Sequence, residues 1–226
     1  MNQPAAFHTS GRHSLGSVRF GTVYADPPWR FTNRTGKMAP EHRRLHRYRT
    51  MTLEEICELP VSDVTAQNAH LYLWVPNALL QDGLTVMKSW GFTYKCNLVW
   101  YKTRKDGGPD GRGVGFYFRN VTELLLFGVR GSMRTLPPGR RMVNIVPVQK
   151  REHSRKPDEF YDVIEQCSPG PHLELFARHH RVGWQQWGDE LQSGTYTPQH
   201  DRPARPEAQF DRVTRQSSLK ILDPSH

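Results

Sequence analysis

Apolar positions along the chain fall into short dense runs, separated by stretches in which they recur at helical spacing. Six runs are rich enough in aromatic and β-branched residues to predict strands: residues 20–26, 69–75, 96–102, 121–129, 142–148 and 172–178. Strands that are apolar on both faces and alternate with helices are typical of an α/β fold. We therefore expect a mostly parallel sheet with helices on both faces.

Two of the intervening stretches predict helices of modest length. TLEEICELP, residues 52–60, combines helix-forming residues with a terminal proline. The stretch over 77–90 puts Leu80, Leu84 and Met87 on one helical face, which we expect to be buried.

A third helix is the clearest in the chain. Pro157 suits the first turn of a helix, and the acidic residues after it favour the positive end of the helix dipole. The expected buried stripe has i, i+3, i+4, i+7 spacing and consists of Phe160, Val163, Ile164 and Cys167.

The length of 226 residues and the composition fit one ordinary domain. The segment 192–226 is polar and interrupted by prolines, which predicts a disordered or loosely attached tail. No apolar run is long enough to cross a membrane, and the first residues do not resemble an export signal. Three widely spaced cysteines without a C-x-x-C motif favour a reducing compartment, so we expect a cytoplasmic protein without a metal site.

The formal net charge of +9 is concentrated in two segments. Residues 30–49 carry seven basic side chains against one acidic, and residues 130–156 carry eight against one. Concentrated basic segments are what a phosphate backbone requires, although a solvated basic surface has the same composition. Charge alone leaves these two interpretations open.

The stretch Asp26-Pro27-Pro28-Trp29 follows the first predicted strand. Ligands of parallel sheets bind outside the carboxyl ends of the strands. There, Asp26 and the carbonyl of Pro27 could accept both hydrogens of an exocyclic amine while Trp29 stacks on its ring. The alternative is a rigid turn with no chemistry, and four residues cannot decide between the two.

Other segments make this stretch more informative. It resembles the D-P-P-[WYF] signature of amino-group methyltransferases of DNA and RNA. Tyr48-Arg49-Thr50-Met51, LYLWV, LVWYKT, SRKPDE at 154–159, SPG, ELFAR and a final W-x-x-x-G follow in the order of one family. Over residues 18–191 the chain thus resembles the MT-A70 family of adenine methyltransferases, which leaves 1–17 as an N-terminal extension.

The resemblance implies a Rossmann-like methyltransferase fold with circularly permuted motif order. It implies S-adenosylmethionine as cofactor and transfer of its methyl group to the N6 amine of adenine. The catalytic stretch would be Asp26, Pro27, Pro28 and Trp29. Cofactor contacts are implied for Asp26, Lys156, Phe176, Arg178, His180, Asp189 and Glu190. Asp189-Glu190 departs from the Asn-Gln pair common in the family, as Arg181 departs from a common Asn.

Substrate contacts are expected on the other side of the pocket. The candidates are Tyr48, Trp100, Lys102, Asn120, Glu123, Arg43, Arg44 and Arg47. Tyr48 would line the adenine pocket and Lys102 would meet a phosphate. Trp100 has a competing role, since an aromatic residue in an apolar strand usually lies in the core.

The expected partner is nucleic acid, with DNA favoured because the chain is as compact as bacterial and phage members of the family. RNA remains an alternative substrate. A second alternative is a catalytically silent nucleic-acid-binding subunit, which the intact catalytic stretch argues against. The oligomeric state is left open between monomer and dimer.

Overall fold

The computed structural model describes residues 18–31, 50–111, 117–137, 139–149 and 156–188. Their centre is one seven-stranded sheet. Its strands are β1 Phe20–Ala25, β2 Thr65–Val75, β3 Thr93–Thr103, β4 Thr122–Arg130, β5 Ile145–Gln149, β6 His172–Leu175 and β7 Trp184–Trp187.

The strand order is β5-β3-β4-β2-β1-β6-β7, and the sheet is mostly parallel as predicted. Among the described strands, β4 alone runs against the others, pairing antiparallel with β2 and β3. Six strands therefore end at one edge of the sheet, termed the carboxyl edge, and β4 begins there. The opposite edge is termed the amino edge. The reversal of β4 brings its first residues to the edge where ligands of such sheets bind.

All six predicted strands are present, and β7 is the one that the pattern does not predict. Its sequence, Trp-Gln-Gln-Trp, has two polar residues at its centre and so lacks an apolar run. β6 is shorter than predicted because Phe176 has a φ of 63°, a left-handed conformation that ends the strand after Leu175.

Helices flank the sheet on both faces, as predicted. Those in the described residues are α1 Leu53–Cys57, α2 Val61–Val64, α3 Leu80–Ser89 and α4 Glu159–Cys167. α1 begins with a capping box, in which Thr52 and Glu55 each accept a hydrogen bond from the other's backbone N–H. α4 begins two residues later than predicted, and its expected buried stripe is confirmed.

One face of the sheet, termed the apolar face, packs against α1, α2 and α3. It presents alternate residues of the central strands, including Val23, Leu71 and Leu73, which are fully buried. Ile56 of α1 and Val61 of α2 join the same cluster. Alternation along each strand sends the residues between them to the other face.

The buried stripe of α3 differs from the prediction. Leu80 and Leu84 are exposed, whereas Gly83 and Met87 face the sheet. A Cβ on Gly83 would lie 2.5 Å from a methyl group of Val75, so only glycine permits this close approach of helix and strand. The spacing rule failed because it counts large apolar residues and overlooks glycine.

The second face, termed the polar face, packs against α4. Tyr24, Tyr72 and Trp74 lie on it and are covered by Phe160 and Ile164. The Trp74 indole N–H donates a 2.6 Å hydrogen bond to the Tyr24 hydroxyl. This face therefore carries buried polar groups that are paired within the core.

The predicted N-terminal extension, 1–17, and tail, 192–226, lie outside the described residues. Within the described ranges, the helices are too short or too polar to cross a membrane. Cys57, Cys96 and Cys167 are free thiols in the structure.

Candidate active site at the carboxyl edge

The Asp-Pro-Pro-Trp stretch forms a tight turn where the central strand β1 leaves the sheet. The Trp29 N–H donates to the Pro27 carbonyl at 2.8 Å, and the Met51 N–H donates to the Pro28 carbonyl at 3.0 Å. The two prolines have fixed φ angles, so the turn needs little further restraint. Asp26 stands at its start with 28% of its side chain exposed.

Trp29 corrects the sequence interpretation. Only 7% of the residue is exposed, and its ring packs within the apolar-face core. Its indole N–H donates a 2.9 Å hydrogen bond to the carbonyl of Trp74. Trp29 therefore anchors the turn to β2 in this structure and does not present the open aromatic face that stacking on a substrate ring requires.

Four charged side chains of alternating sign form a continuous chain beside the turn, termed the charge chain. The Lys156 ammonium lies 2.7 Å from Asp26 Oδ2 and 3.1 Å from Glu123 Oε1. The other oxygen of Glu123 lies 2.9 Å from the Lys102 ammonium. Residues from β1, β3, β4 and the segment before α4 thus meet at one point of the carboxyl edge.

The charge chain is largely shielded from solvent. Exposed side-chain fractions are 16% for Lys156 and 19% for both Glu123 and Lys102. Burial raises the pKa of Glu123, but the two lysines more than offset it and lower that pKa to about 2. Burial likewise lowers the pKa of Lys156, but the Asp26 and Glu123 carboxylates raise it above its ordinary value. Glu123 and Lys156 are therefore both held in their charged forms.

Two tryptophan rings lie against the lysine ammonium groups of the charge chain. The Lys156 ammonium lies 5.1 Å from the centre of the Trp74 ring, and that of Lys102 lies 4.7 Å from the Trp100 ring. Trp100 is 3% exposed and donates its indole N–H to the Val148 carbonyl. Its position favours the core role, while the expected substrate contact stays a prediction.

The start of β4 is tied to the exit of β2. Asn77 donates from its side chain to Thr122 Oγ1 at 3.1 Å and to Asn120 Oδ1 at 3.4 Å. Asn120 is exposed and Glu123 follows three residues later. Burying the Glu123 carboxylate would be costly without partners, and it has them in Lys102 and Lys156.

The predicted cofactor residues after β6 lie at the same edge, because β6 neighbours β1. Phe176 is half-buried, with its ring centre 5.7 Å from that of Trp187. Arg178 is half-buried and His180 is exposed. Their roles toward the cofactor remain predictions.

Six of the predicted site residues lie outside the described residues. They are Arg43, Arg44, Arg47, Tyr48, Asp189 and Glu190. Most of the basic segment 30–49 lies outside as well.

The site belongs to a chain whose sequence matches the MT-A70 family model over residues 20–190. The chain belongs to the MT-A70 family. The match spans most of the chain and every strand and helix described above. It confirms the predicted enzyme class, an adenine N6 methyltransferase, and the predicted cofactor of that class, S-adenosylmethionine. The Rossmann-like fold expected from the motif order is likewise confirmed.

Several proteins are similar to this MT-A70 family member. Type II methyltransferase M.MunI of Mycoplasma sp is 28% identical over 196 residues, which cover 78% of this chain and 80% of that protein. A putative N(6)-adenosine-methyltransferase MT-A70-like of Medicago truncatula is 34% identical, covering 76% and 26%. The human N(6)-adenosine-methyltransferase catalytic subunit METTL3 is 30% identical, covering 76% and 28%. The chain thus spans about a quarter of the plant and human relatives.

The charge chain fits the family's cofactor. The methionine part of S-adenosylmethionine carries a carboxylate and an ammonium group, and its sulfonium is a further cation. Lys156 matches the carboxylate, and Asp26 matches the cationic groups. The carboxyl edge therefore offers opposite charges for each charged part of the cofactor.

Sequence reasoning missed two contributors to the site. The Trp74 ring lies beside the Lys156 ammonium, and Asn77 connects the end of β2 to the start of β4. Both lie at or beside a strand exit, which is the signal that could have identified them. The reversed direction of β4 concealed Asn77, because its partners Asn120 and Thr122 lie just before and at the start of that strand.

Proposed function

We propose that this chain transfers the methyl group of S-adenosylmethionine to the N6 amine of adenine in DNA, with Asp26 as the central catalytic residue. The observation that carries the proposal is the position of Asp26. Its carboxylate lies at the exit of a central strand, at the start of a rigid Pro-Pro turn, and 2.7 Å from the Lys156 ammonium.

Asp26 and the Pro27 carbonyl are assigned to the two hydrogens of the amine. The nitrogen lone pair of adenine is delocalised into the ring, and two acceptors on its hydrogens make it more available for attack. The Pro27 carbonyl already accepts the Trp29 N–H, and its second lone pair remains for this purpose. Because Lys156 holds Oδ2 of Asp26, we assign Oδ1 to the amine.

The amine gains a methyl group and gives up one proton. The Asp26 carboxylate is assigned to receive that proton and, being partly exposed, to release it to water. Bound S-adenosylmethionine would supply the electrophilic methyl group, whose bond to sulfur breaks so that S-adenosylhomocysteine leaves. Lys156 is assigned to its carboxylate, and Phe176, Arg178 and His180 to the same cofactor, as the family motif implies.

Two groups beyond the described ranges complete the cofactor assignment. Asp189 and Glu190 are assigned to the ribose hydroxyls, because carboxylates readily accept the hydrogen bonds that hydroxyls donate. Trp29 keeps a place in the catalytic stretch through the turn that it anchors.

The substrate side is assigned to residues on the β3–β4 half of the edge and to the basic segment 30–49. The β3–β4 half contributes Glu123, Asn120 and Lys102. The basic segment contributes Tyr48 for the adenine, and the arginines assigned to the phosphate backbone are Arg43, Arg44 and Arg47. An adenine within a duplex would have to leave its stack to reach Asp26. Binding through several arginines should weaken steeply with salt.

DNA is preferred over RNA because of how the relatives align. This chain and the Type II methyltransferase align over comparable lengths, 78% and 80%. The alignments with the N(6)-adenosine-methyltransferases cover only 26% and 28% of those proteins. Their identities of 30–34% make RNA the alternative that the experiment must separate.

The test measures transfer of a labelled methyl group from S-adenosylmethionine to adenine-containing DNA and RNA. We expect transfer to DNA, and a fall of about 100-fold or more in kcat for Asp26→Ala. Asp63→Ala is the matched control, because Asp63 is an exposed aspartate at the amino edge. Its activity should equal that of the wild type.

Three outcomes would contradict the proposal. Transfer to RNA alone would contradict the choice of DNA. Full activity of Asp26→Ala would contradict the catalytic role of Asp26. Binding of both polymers by the wild type without transfer to either would favour the catalytically silent subunit.

A further inference from the structure

Two consecutive aromatic residues are almost fully exposed. Tyr117 is 94% and Phe118 is 85% exposed, whereas the next most exposed aromatic residues in the described part of the chain, Tyr94 and Phe31, reach 40% and 38%. Large aromatic rings seldom stand free in water without a functional reason, since burying one ring is worth several kilocalories per mole. Neither ring contributes to the two core clusters.

The pair stands close to the catalytic edge. It precedes β4, whose backbone is fixed there by the 2.8 Å hydrogen bond from the Lys102 N–H to the Val121 carbonyl. Phe118 and Glu123 are five residues apart, so at most about 17 Å of extended chain separates them. That reach corresponds to roughly five stacked bases of nucleic acid.

The charges around the pair suit nucleic acid. Arg119 follows it directly and is exposed, and it supplies a cation beside the two rings. Surfaces that bind unpaired nucleic acid combine such cations, which meet phosphates, with aromatic rings on which bases stack. An apolar protein partner would instead have to desolvate this cation.

We propose that Tyr117 and Phe118 form a stacking platform for unpaired nucleobases that flank the target adenine. The proposal rests on the proposed function for its target base. When an adenine leaves its stack to reach Asp26, its neighbours lose a stacking partner. The two rings offer a replacement surface that any base can use, because every base has a π-face.

The experiment is a binding titration without cofactor. A single-stranded oligodeoxynucleotide containing adenines and the fluorescent base 2-aminopurine is titrated with the full chain. Stacking of 2-aminopurine on an aromatic ring quenches its fluorescence, so we expect quenching on binding. Tyr117→Ala and Phe118→Ala should each weaken binding by about fivefold or more, and the double variant should lose the quenching.

Three controls separate stacking from other roles. Tyr117→Phe keeps the ring and should keep both affinity and quenching. Val182→Ala removes an 84% exposed apolar side chain near the amino edge and should change nothing. Arg119→Gln should reduce the slope of log Kd against log salt concentration by about one, whereas Tyr117→Ala should leave that slope unchanged.

Two results would overturn the platform. One is wild-type affinity and quenching in the double variant. The other is a double variant that loses self-association in sedimentation experiments but still binds the oligonucleotide. The rings would then contact a second copy of the chain.

The titration also distinguishes this proposal from the proposed function. Asp26→Ala should lose methyl transfer and still quench 2-aminopurine, because the quenching comes from the two exposed rings. Quenching by a wild type that transfers no methyl group would contradict the proposed function and leave the platform standing. Methyl transfer without quenching would contradict the platform alone.

Discussion

The two faces of the central sheet differ although they share every strand. On β2, Leu71 and Leu73 point to the apolar face, while their neighbours Tyr72 and Trp74 point to the polar face. The apolar face is filled by aliphatic and aromatic side chains. The polar face also buries His70, next to Tyr72. One strand thus serves two different kinds of core.

The polar face shows what the site requires from the fold. Tyr72 and His70 both bond to the Ser168 hydroxyl, at 2.8 and 2.7 Å. Toward the carboxyl edge the same face carries Glu123, whose carboxylate contacts two lysines. Buried polar groups are costly without partners, so both the hydrogen-bonded group around Ser168 and the charge chain at the edge depend on the fold to bring their members together. We infer that the apolar face supplies most of the stability and the polar face positions the charge chain.

The largest expected effect comes from the apolar face. Leu73→Ala should lower the free energy of unfolding by about 3 kcal/mol, because Leu73 is fully buried and its removal leaves a cavity. Methyl transfer measured well below the melting temperature should stay near the wild-type rate, since Leu73 points away from the charge chain. Urea unfolding followed by circular dichroism measures the first effect.

The exposed Val182 provides the control for this change. Val182→Ala also shortens an apolar side chain and should leave the unfolding free energy within about 0.5 kcal/mol of the wild type. A loss below about 1 kcal/mol in Leu73→Ala would contradict tight packing of the apolar face.

Much of the fold, though not the contrast between its two faces, could be predicted from the sequence. Near-continuous apolar strands predict a sheet buried on both faces, and the six predicted strands are all present. Asp26 at the exit of β1 follows from the same pattern. Local patterns succeed here because burial and strand exits are properties of short segments.

The rest depends on contacts between distant segments. The direction of β4 is set by its pairing with β2 and β3, and without it Glu123 cannot be placed beside Lys156. Trp29 looks like an exposed ring in the sequence, but the Trp74 carbonyl holds its indole in the core. Gly83, on the buried face of α3, is invisible to a rule that counts large apolar residues.

The second prediction concerns acid stability on the polar face. The pKa of Glu123 is about 2 in the folded chain against an ordinary 4.5, so the unfolded chain takes up its proton first as pH falls. The stabilisation is therefore complete above pH 4.5 and is lost between about pH 4.5 and 2. We expect it to be on the order of 3 kcal/mol at neutral pH. The difference in unfolding free energy between wild type and Glu123→Gln should shrink over that range.

Glu174 on the same face is the matched control with the opposite sign. Burial raises its pKa although Tyr161 and Gln186 donate hydrogen bonds to it. Its contribution is then present below pH 4.5 and is lost as pH rises through the raised pKa. The difference between wild type and Glu174→Gln should therefore fall with increasing pH. Equal trends for both variants would contradict the role of the two lysines beside Glu123.

The smallest expected effect tests the polar core directly. Tyr72→Phe removes one hydroxyl from the polar face and should lower the unfolding free energy by about 1 kcal/mol, because Ser168 keeps His70 as its other partner. Tyr94→Phe is the control, since the exposed Tyr94 hydroxyl can exchange Asn97 for water. A cost for Tyr72→Phe equal to that of Leu73→Ala would mean that the polar face stabilises the fold as strongly as the apolar face. If Tyr72→Phe costs nothing, the hydrogen bonds of the polar face do not stabilise the fold and act only to position side chains. The methyl-transfer rate of the same variant then shows whether they position the charge chain.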